Sequence, residues 1–109
     1  MNFNDYQQKA RTTAIYPDCG NNLWYPALGL TGESGEVAEK IKKIYRDSGG
    51  VASMEVGHAL VKELGDVLWY VANIASELGV DLGFVARLNI EKLEQRSKTG
   101  NLHGDGDDR

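Results

Sequence analysis

A chain of 109 residues fits a single domain with a real but modest core, one that a partner chain would help to complete. Its net charge of −4 and pI near 5.1 provide no broad basic footprint, which argues against duplex nucleic acid or an anionic membrane as partner. A lone Cys19 cannot form an internal disulfide and favours a reducing, cytoplasmic setting, and no run approaches the ~20 apolar residues of a membrane span.

The N-terminus, MNFNDYQQKAR, has no apolar signal region. A first helix is expected to begin at Asn4, whose side chain can cap it while Gln7 sits where a capping-box partner would. Phe3, Tyr6, Ala10 and Ala14 give that helix a thin apolar stripe, and it should stop before Pro17. Residues 17–25 have turn composition and read as a loop, with Trp24 and Tyr25 at its end either presented to a ligand or pinning the loop to the core.

A second helix should start near Pro26 and run to about Arg46, where Asp47, Ser48, Gly49 and Gly50 end it. At about 100° per residue, Leu30, Val37, Ile41, Ile44 and Tyr45 form its buried stripe. Glu33 then lies roughly 70° to one side of the stripe and Glu36 roughly 130°, while Glu39 points away from it. Gly29, Gly32 and Gly35 each weaken this helix by about 0.8–1 kcal/mol relative to Ala, a loss to be offset by tight packing or by a ligand lying against it.

A third helix, from about Met54 to Leu78, repeats the pattern. Its stripe is Leu60, Leu64, Val67, Val71, Ile74 and Leu78; Glu63 and Asp66 fall about 75° and 135° to the same side, and Tyr70, Asn73 and Glu77 continue that flank. Two such helices packed antiparallel through their stripes bring both acidic pairs to one rim. Trp69 is expected to point away from the intramolecular core, toward a second chain or a nucleobase. Gly79 can end the helix in a left-handed conformation, and Asp81 can cap a fourth helix reaching about Lys98. That helix buries Leu82, Val85, Ala86 and Leu93 and carries Asn89, Lys92 and Arg96 as a donor stripe able to receive a phosphate. The tail from Thr99 to Arg109 is polar enough to expect disorder.

A single ExxE is common on solvated helix faces; two acidic pairs at one angular offset from two apolar stripes are more informative. Glu33, Glu36, Glu63 and Asp66 can converge as an all-oxygen cage, whose mutual repulsion implies Mg²⁺ or Mn²⁺, or else raised pKa values. Oxygen-only ligation argues against zinc. A carboxylate-bridged di-iron site is disfavoured too, since His58 and His103 are not at ExxH spacing.

The stretches LGLTGESGEVAEKIKK, KELGDVLWYVANIASELGVDL and NIEKLEQR resemble the MazG-like all-α nucleotide pyrophosphohydrolases, whose signature is an ExxE helix, a spacer and an ExxD helix. Here 26 residues separate Glu36 from Glu63, and the resemblance runs from about Asn4 to Arg96. One departure is Gly32, where many members carry an additional acid, which bears on the number or affinity of bound metals.

The resemblance implies an all-α, antiparallel four-helix bundle over residues 1–98, assembled as a homodimer or homotetramer. It implies hydrolysis of a nucleoside triphosphate to the monophosphate and pyrophosphate, for pool sanitation or adjustment. Mg²⁺, or Mn²⁺, would be held by Glu33, Glu36, Glu63 and Asp66, with Glu36 and Glu33 as catalytic carboxylates and Glu36 the preferred proton acceptor. Asn89, Lys92 and Arg96 match the family's fourth-helix pattern and would hold the polyphosphate, with Lys43, and Lys40 beside it, adding positive field. Tyr70 would line a base pocket, with Trp24 or Trp69 as stacking partner. Two alternatives stand beside this reading. One is the same fold acting on phosphoribosyl-ATP, dUTP or an alarmone, and the other a non-catalytic helical nucleotide-sensing or oligomerisation module.

Overall fold

The computed structural model describes residues 1–107; Asp108 and Arg109, at the end of the tail, lie outside the described residues. Four α-helices follow one another: α1 (Phe3–Arg11), α2 (Trp24–Ser48), α3 (Met54–Glu77) and α4 (Leu82–Thr99), with no strand among the described residues.

The long pair α2 and α3 forms the frame. Gly49 takes a left-handed conformation at φ 61° to end α2, and Ser53 Oγ accepts the Val56 amide at 3.2 Å to start α3. The partners then step down one helix as they step up the other: Lys40 meets Glu63, Glu33 meets Glu63 and Asp66, and Gly29 meets Tyr70. That order makes the pair antiparallel. The expected boundaries hold for α3, whereas α2 begins two residues before Pro26, at Trp24, because Asn22 Oδ1 accepts the Tyr25 amide at 3.1 Å and supplies the missing cap.

Helix α1 crosses the C-terminal half of α3, and its start differs from expectation. Asn2, not Asn4, is the cap, and its side chain and that of Asp5 form a reciprocal capping box. Asn4 and Gln7 are thereby released for tertiary work. Gln7 is buried, donating from Nε2 to Ser76 Oγ at 3.1 Å and Val80 O at 2.9 Å, and accepting the Leu82 amide on Oε1 at 2.8 Å. Asn4 Oδ1 accepts the Gly83 amide at 2.9 Å. The first turn of α4 is therefore capped by side chains of α1; Asp81 has cap backbone geometry but makes no capping hydrogen bond.

Small residues make the core, with Ala10, Ala72 and Leu82 buried and Tyr6, Leu68, Trp69 and Val71 packed against them. Trp69 is thus covered within the chain, contrary to expectation: α1 and the turn after it lie over this face, and the indole Nε1 donates to Thr13 Oγ1 at 2.8 Å. Asn73, expected on the flank, is fully buried for the same reason. Conversely, several stripe residues stay largely exposed, among them Ile41, Tyr45, Leu64 and Leu78, as do Val85 and Leu93 of α4.

Helix α4 packs on α1 and α3 and makes no contact with α2 among the described residues, so the four helices do not close around one shared core. The chain is correspondingly spread out. Its Cα radius of gyration is 16.6 Å, against ~13 Å for a compact domain of this length. Its accessible surface is 7843 Å², against ~6,000 Å² for a monomer of this mass. No helix among the described residues is long and apolar enough to cross a membrane.

Candidate metal centre

Glu33 sits on α2 where the helix faces the middle of α3, and Glu63 and Asp66 stand one turn apart opposite it. One carboxylate oxygen from each of the three lies within 4.8 Å of the others. Glu33 and Glu63 are half-buried, and Asp66 is exposed, so the cluster opens to solvent along one rim of the helix pair. Burial, a hydrogen bond shared with Glu63, and the charges of Asp66, Glu63 and Glu36 all push the Glu33 carboxyl above the usual carboxylate range.

That shift is a test of fit. Three hard oxygen donors whose close approach is penalised by their own charge are the donor set a divalent cation of the Mg²⁺ type relieves, leaving positions for water and phosphate oxygens. Glu33, Glu63 and Asp66 would hold it. Glu36, the fourth expected ligand, is exposed and stands outside the convergent trio, although its charge still reaches Glu33.

Around the trio lie groups of both signs. Lys40 Nζ is 3.8 Å from Glu63 Oε1, and Lys40 and Lys43 line a cavity of about 270 Å³ with Ile44, Asp47, Val56 and Ala59. On the other side, the Tyr70 ring abuts α2 so closely that a Cβ on Gly29 would clash with its Cε1, Cζ and Cδ1. Its ring meets Trp69 edge-on at 4.9 Å, and burial together with Tyr25, Glu33 and Asp66 raises its hydroxyl pKa. Tyr6 of α1 belongs here too, its pKa raised by burial and by the charge of Asp66. In the sequence Tyr6 reads as one member of an apolar stripe, and nothing marks its approach to Asp66.

The donor stripe of α4 is elsewhere. Asn89 and Lys92 line a cavity of about 520 Å³ with Val80, Phe84, Val85 and Leu88, on a helix that does not reach α2. Lys92 Nζ pairs with Asp107 at 3.2 Å, and Arg96, 5% exposed, donates from Nη2 to Asp107 O at 2.7 Å and Gly106 O at 3.2 Å. These contacts draw residues 106–107 of the polar tail back onto α4. Trp24, on the first turn of α2, is 80% exposed.

A second polar group was only partly legible in the sequence. Arg11 Nη1 donates to Tyr16 Oη at 2.8 Å and Asn73 Oδ1 at 3.0 Å; Tyr16 Oη donates to Glu77 Oε1 at 2.6 Å, and the Gly20 amide donates to the same oxygen at 2.9 Å. The spacing of Asn73 and Glu77, on the flank that Tyr70 continues, was the available signal. Burial alone would raise the Glu77 carboxyl, but its bonds to Tyr16 and Gly20 and the Arg11 charge outweigh it and hold the group below its ordinary value.

Comparison with known proteins falls on the same helices. The family model for the MazG nucleotide pyrophosphohydrolase domain matches residues 26–100, which span all of the cluster and the donor stripe. The Gene 37 protein of Mycobacterium phage L5 is 46% identical over 114 aligned positions covering 100% of both chains. No solved structure matches at a comparable level of significance.

Proposed function

We propose a reaction from one premise: this chain belongs to the MazG nucleotide pyrophosphohydrolase family. The reaction is Mg²⁺-dependent hydrolysis of a canonical or damaged (deoxy)nucleoside triphosphate to the monophosphate and pyrophosphate, serving pool sanitation or adjustment. The observation that carries it is the convergence of Glu33, Glu63 and Asp66 across two helices to within 4.8 Å, inside the matched segment.

When bound, the cation supplies positive charge against the polyphosphate oxygens and acidity to nearby water. The chain's own groups do the rest. Glu36, exposed and outside the trio, is free to accept the proton of the water that attacks the α-phosphorus as the bond to the β-phosphate breaks. Lys40 and Lys43 lend positive field to the leaving pyrophosphate. Tyr70, fixed on Gly29, forms the base side with Trp24 and Tyr25.

Asn89, Lys92 and Arg96 hold polyphosphate only if α4 is brought to an acidic cluster, and within one chain it does not pack on α2. A homodimer or homotetramer supplies that meeting and covers Leu64, Ile41 and Tyr45, in keeping with the ~1,900 Å² of surface beyond a compact monomer's value. The acidic net charge favours no duplex nucleic acid, and the lone Cys19 fits a reducing cytoplasm.

The test is product analysis of a panel of ribo- and deoxynucleoside triphosphates with Mg²⁺, beside Glu36→Gln and Glu63→Gln. Monophosphate and pyrophosphate in equal amounts, lost in the variants, are expected. Turnover of no triphosphate with Mg²⁺ or Mn²⁺ refutes the assignment.

A further inference from the structure

The loop between α1 and α2 has one buried ring, Tyr16, and little other apolar packing. Ile15, Pro17, Cys19, Gly20 and Asn21 are exposed, and Asp18 and Gly20 hold positive φ of 53° and 100°. One carboxylate ties the buried ring to the exposed turn of this loop. Glu77, the last residue of α3, has a side chain 1% exposed, and its Oε1 gathers both the Tyr16 hydroxyl at 2.6 Å and the Gly20 amide at 2.9 Å. Its Oε2 faces the Arg11 guanidinium at 3.5 Å and is buried without a hydrogen bond among the described residues.

From that clasp a short chain of contacts leads toward the metal centre. Tyr16, 6% exposed, stacks face to face on Tyr25 with ring centroids 4.9 Å apart and planes 10° from parallel. Asn22 donates from Nδ2 to Pro17 O at 2.8 Å and accepts the Tyr25 amide at 3.1 Å, so the loop also fixes where α2 begins. Tyr25 and Trp24 open the helix whose Gly29 carries Tyr70 and whose next turn carries Glu33.

A buried charge is an expensive way to hold a loop, since well-packed apolar side chains of the same volume hold one at least as firmly. What hydrogen bonds add is direction. They fix the Tyr16 hydroxyl, and with it the plane of the ring on which Tyr25 lies.

We propose that Glu77 is a positioning residue for the nucleobase: through Tyr16 and Gly20 it sets the ring of Tyr25 on the base side of the site, and it takes no part in the chemistry at the phosphates. This rests on the nucleotide reading above and names the residue that governs one half of that site. A carboxylate 11 residues from Asp66 along α3 is then coupled to base binding and uncoupled from polyphosphate binding.

The test compares two ligands on the full chain with Mg²⁺ by titration calorimetry: a nucleoside triphosphate with an imido group between its α and β phosphates, and inorganic tripolyphosphate, which has no base. The variants are Glu77→Gln and Tyr16→Phe; the second keeps the stacked ring and guards against poor folding of the first. Both are expected to weaken the nucleoside analogue about tenfold or more while leaving tripolyphosphate within about twofold. Equal weakening of both ligands, or unchanged nucleoside binding in a folded variant, overturns the inference. Turnover of ordinary triphosphates by the wild-type protein is scored separately. A wild-type chain that binds the analogue selectively but hydrolyses nothing refutes the proposed reaction and leaves the clasp standing. One that turns over triphosphates with no base dependence in the variants does the reverse.

Discussion

The three glycines of α2 look alike in sequence but differ in what surrounds them, and the difference can be measured. Alanine in a helix interior stabilises by about 0.8–1 kcal/mol relative to glycine when its methyl meets nothing. Gly32 and Gly35 have open space where a Cβ would go. At Gly29 that atom would clash with three carbons of the Tyr70 ring. The ring cannot swing away freely, because its other neighbour is Trp69, packed on the core and bonded to Thr13. Overpacking of this kind costs roughly 1–3 kcal/mol. Gly35→Ala should therefore gain about 1 kcal/mol, and Gly29→Ala should range from near neutral to a loss of about 2 kcal/mol. Between the two variants the gap is about 1–3 kcal/mol, or roughly 4–15 °C in Tm for a domain of this size. Thermal unfolding followed by circular dichroism at fixed protein concentration reads it. Gly29→Ala should also raise KM for nucleotide under the proposed function, which puts the displaced ring on the base side of the site. A Gly29→Ala protein that melts as high as Gly35→Ala would refute the close approach of Tyr70 to α2.

Other perturbations probe separate parts of the chain. Glu63→Gln should raise the Tm of the metal-free protein by relieving repulsion with Glu33 and Asp66, and should abolish the stabilisation by Mg²⁺, which in the wild type reaches about 2.7 kcal/mol at a hundred times Kd. Scanning fluorimetry with and without Mg²⁺ shows both effects. Gln7→Ala removes three tertiary hydrogen bonds at a buried position and should cost about 2–3 kcal/mol in chemical denaturation, against less than about 0.5 kcal/mol for exposed Gln8→Ala. Glu77 is held below its unfolded value of about 4.3, so its contribution is complete above that pH and is lost as pH falls through the lowered folded value. The Tm of the wild type should therefore drop more steeply between about pH 5 and 3 than that of Glu77→Gln, which has no carboxyl to protonate at this position.

How much of this was legible depended on whether one pair of helices settled the question. The α2/α3 rim was, because each acid's offset from its own apolar stripe survives antiparallel packing, and Glu33, Glu63 and Asp66 converge accordingly. Glu36, three residues on from Glu33, is the one that falls outside. Trp69 and Asn73 were misread because their face is covered by a third element, α1, whose thin stripe of Ala10 and Tyr6 gives little hint of where it lands. Asn4 and Gln7 illustrate the same limit. Their spacing satisfies a local capping rule, yet Asn2 and Asp5 satisfy it two residues earlier, and Asn4 and Gln7 instead cap α4 across the fold. Local rules identify which side chains have capping chemistry but not whose amides they serve.

That substitution explains why the site can sit on an open rim. The contact of α1 with α3 and α4 fully buries few apolar groups, Ala10, Ala72 and Leu82, so dispersion and area alone would leave its register loosely fixed. Directional bonds from Gln7, Asn4 and Arg11 to Ser76, Val80, Leu82, Gly83 and Asn73 remove that freedom, because sliding α1 by one residue would strand buried amides and carbonyls. Trp69 is then held by Thr13, Tyr70 is held by Trp69, and Gly29 admits the Tyr70 ring against α2 one turn from Glu33. The placement of three mutually repelling carboxylates is thus fixed from behind, by polar contacts remote from them, while their solvent side stays open, as the proposed cation site requires.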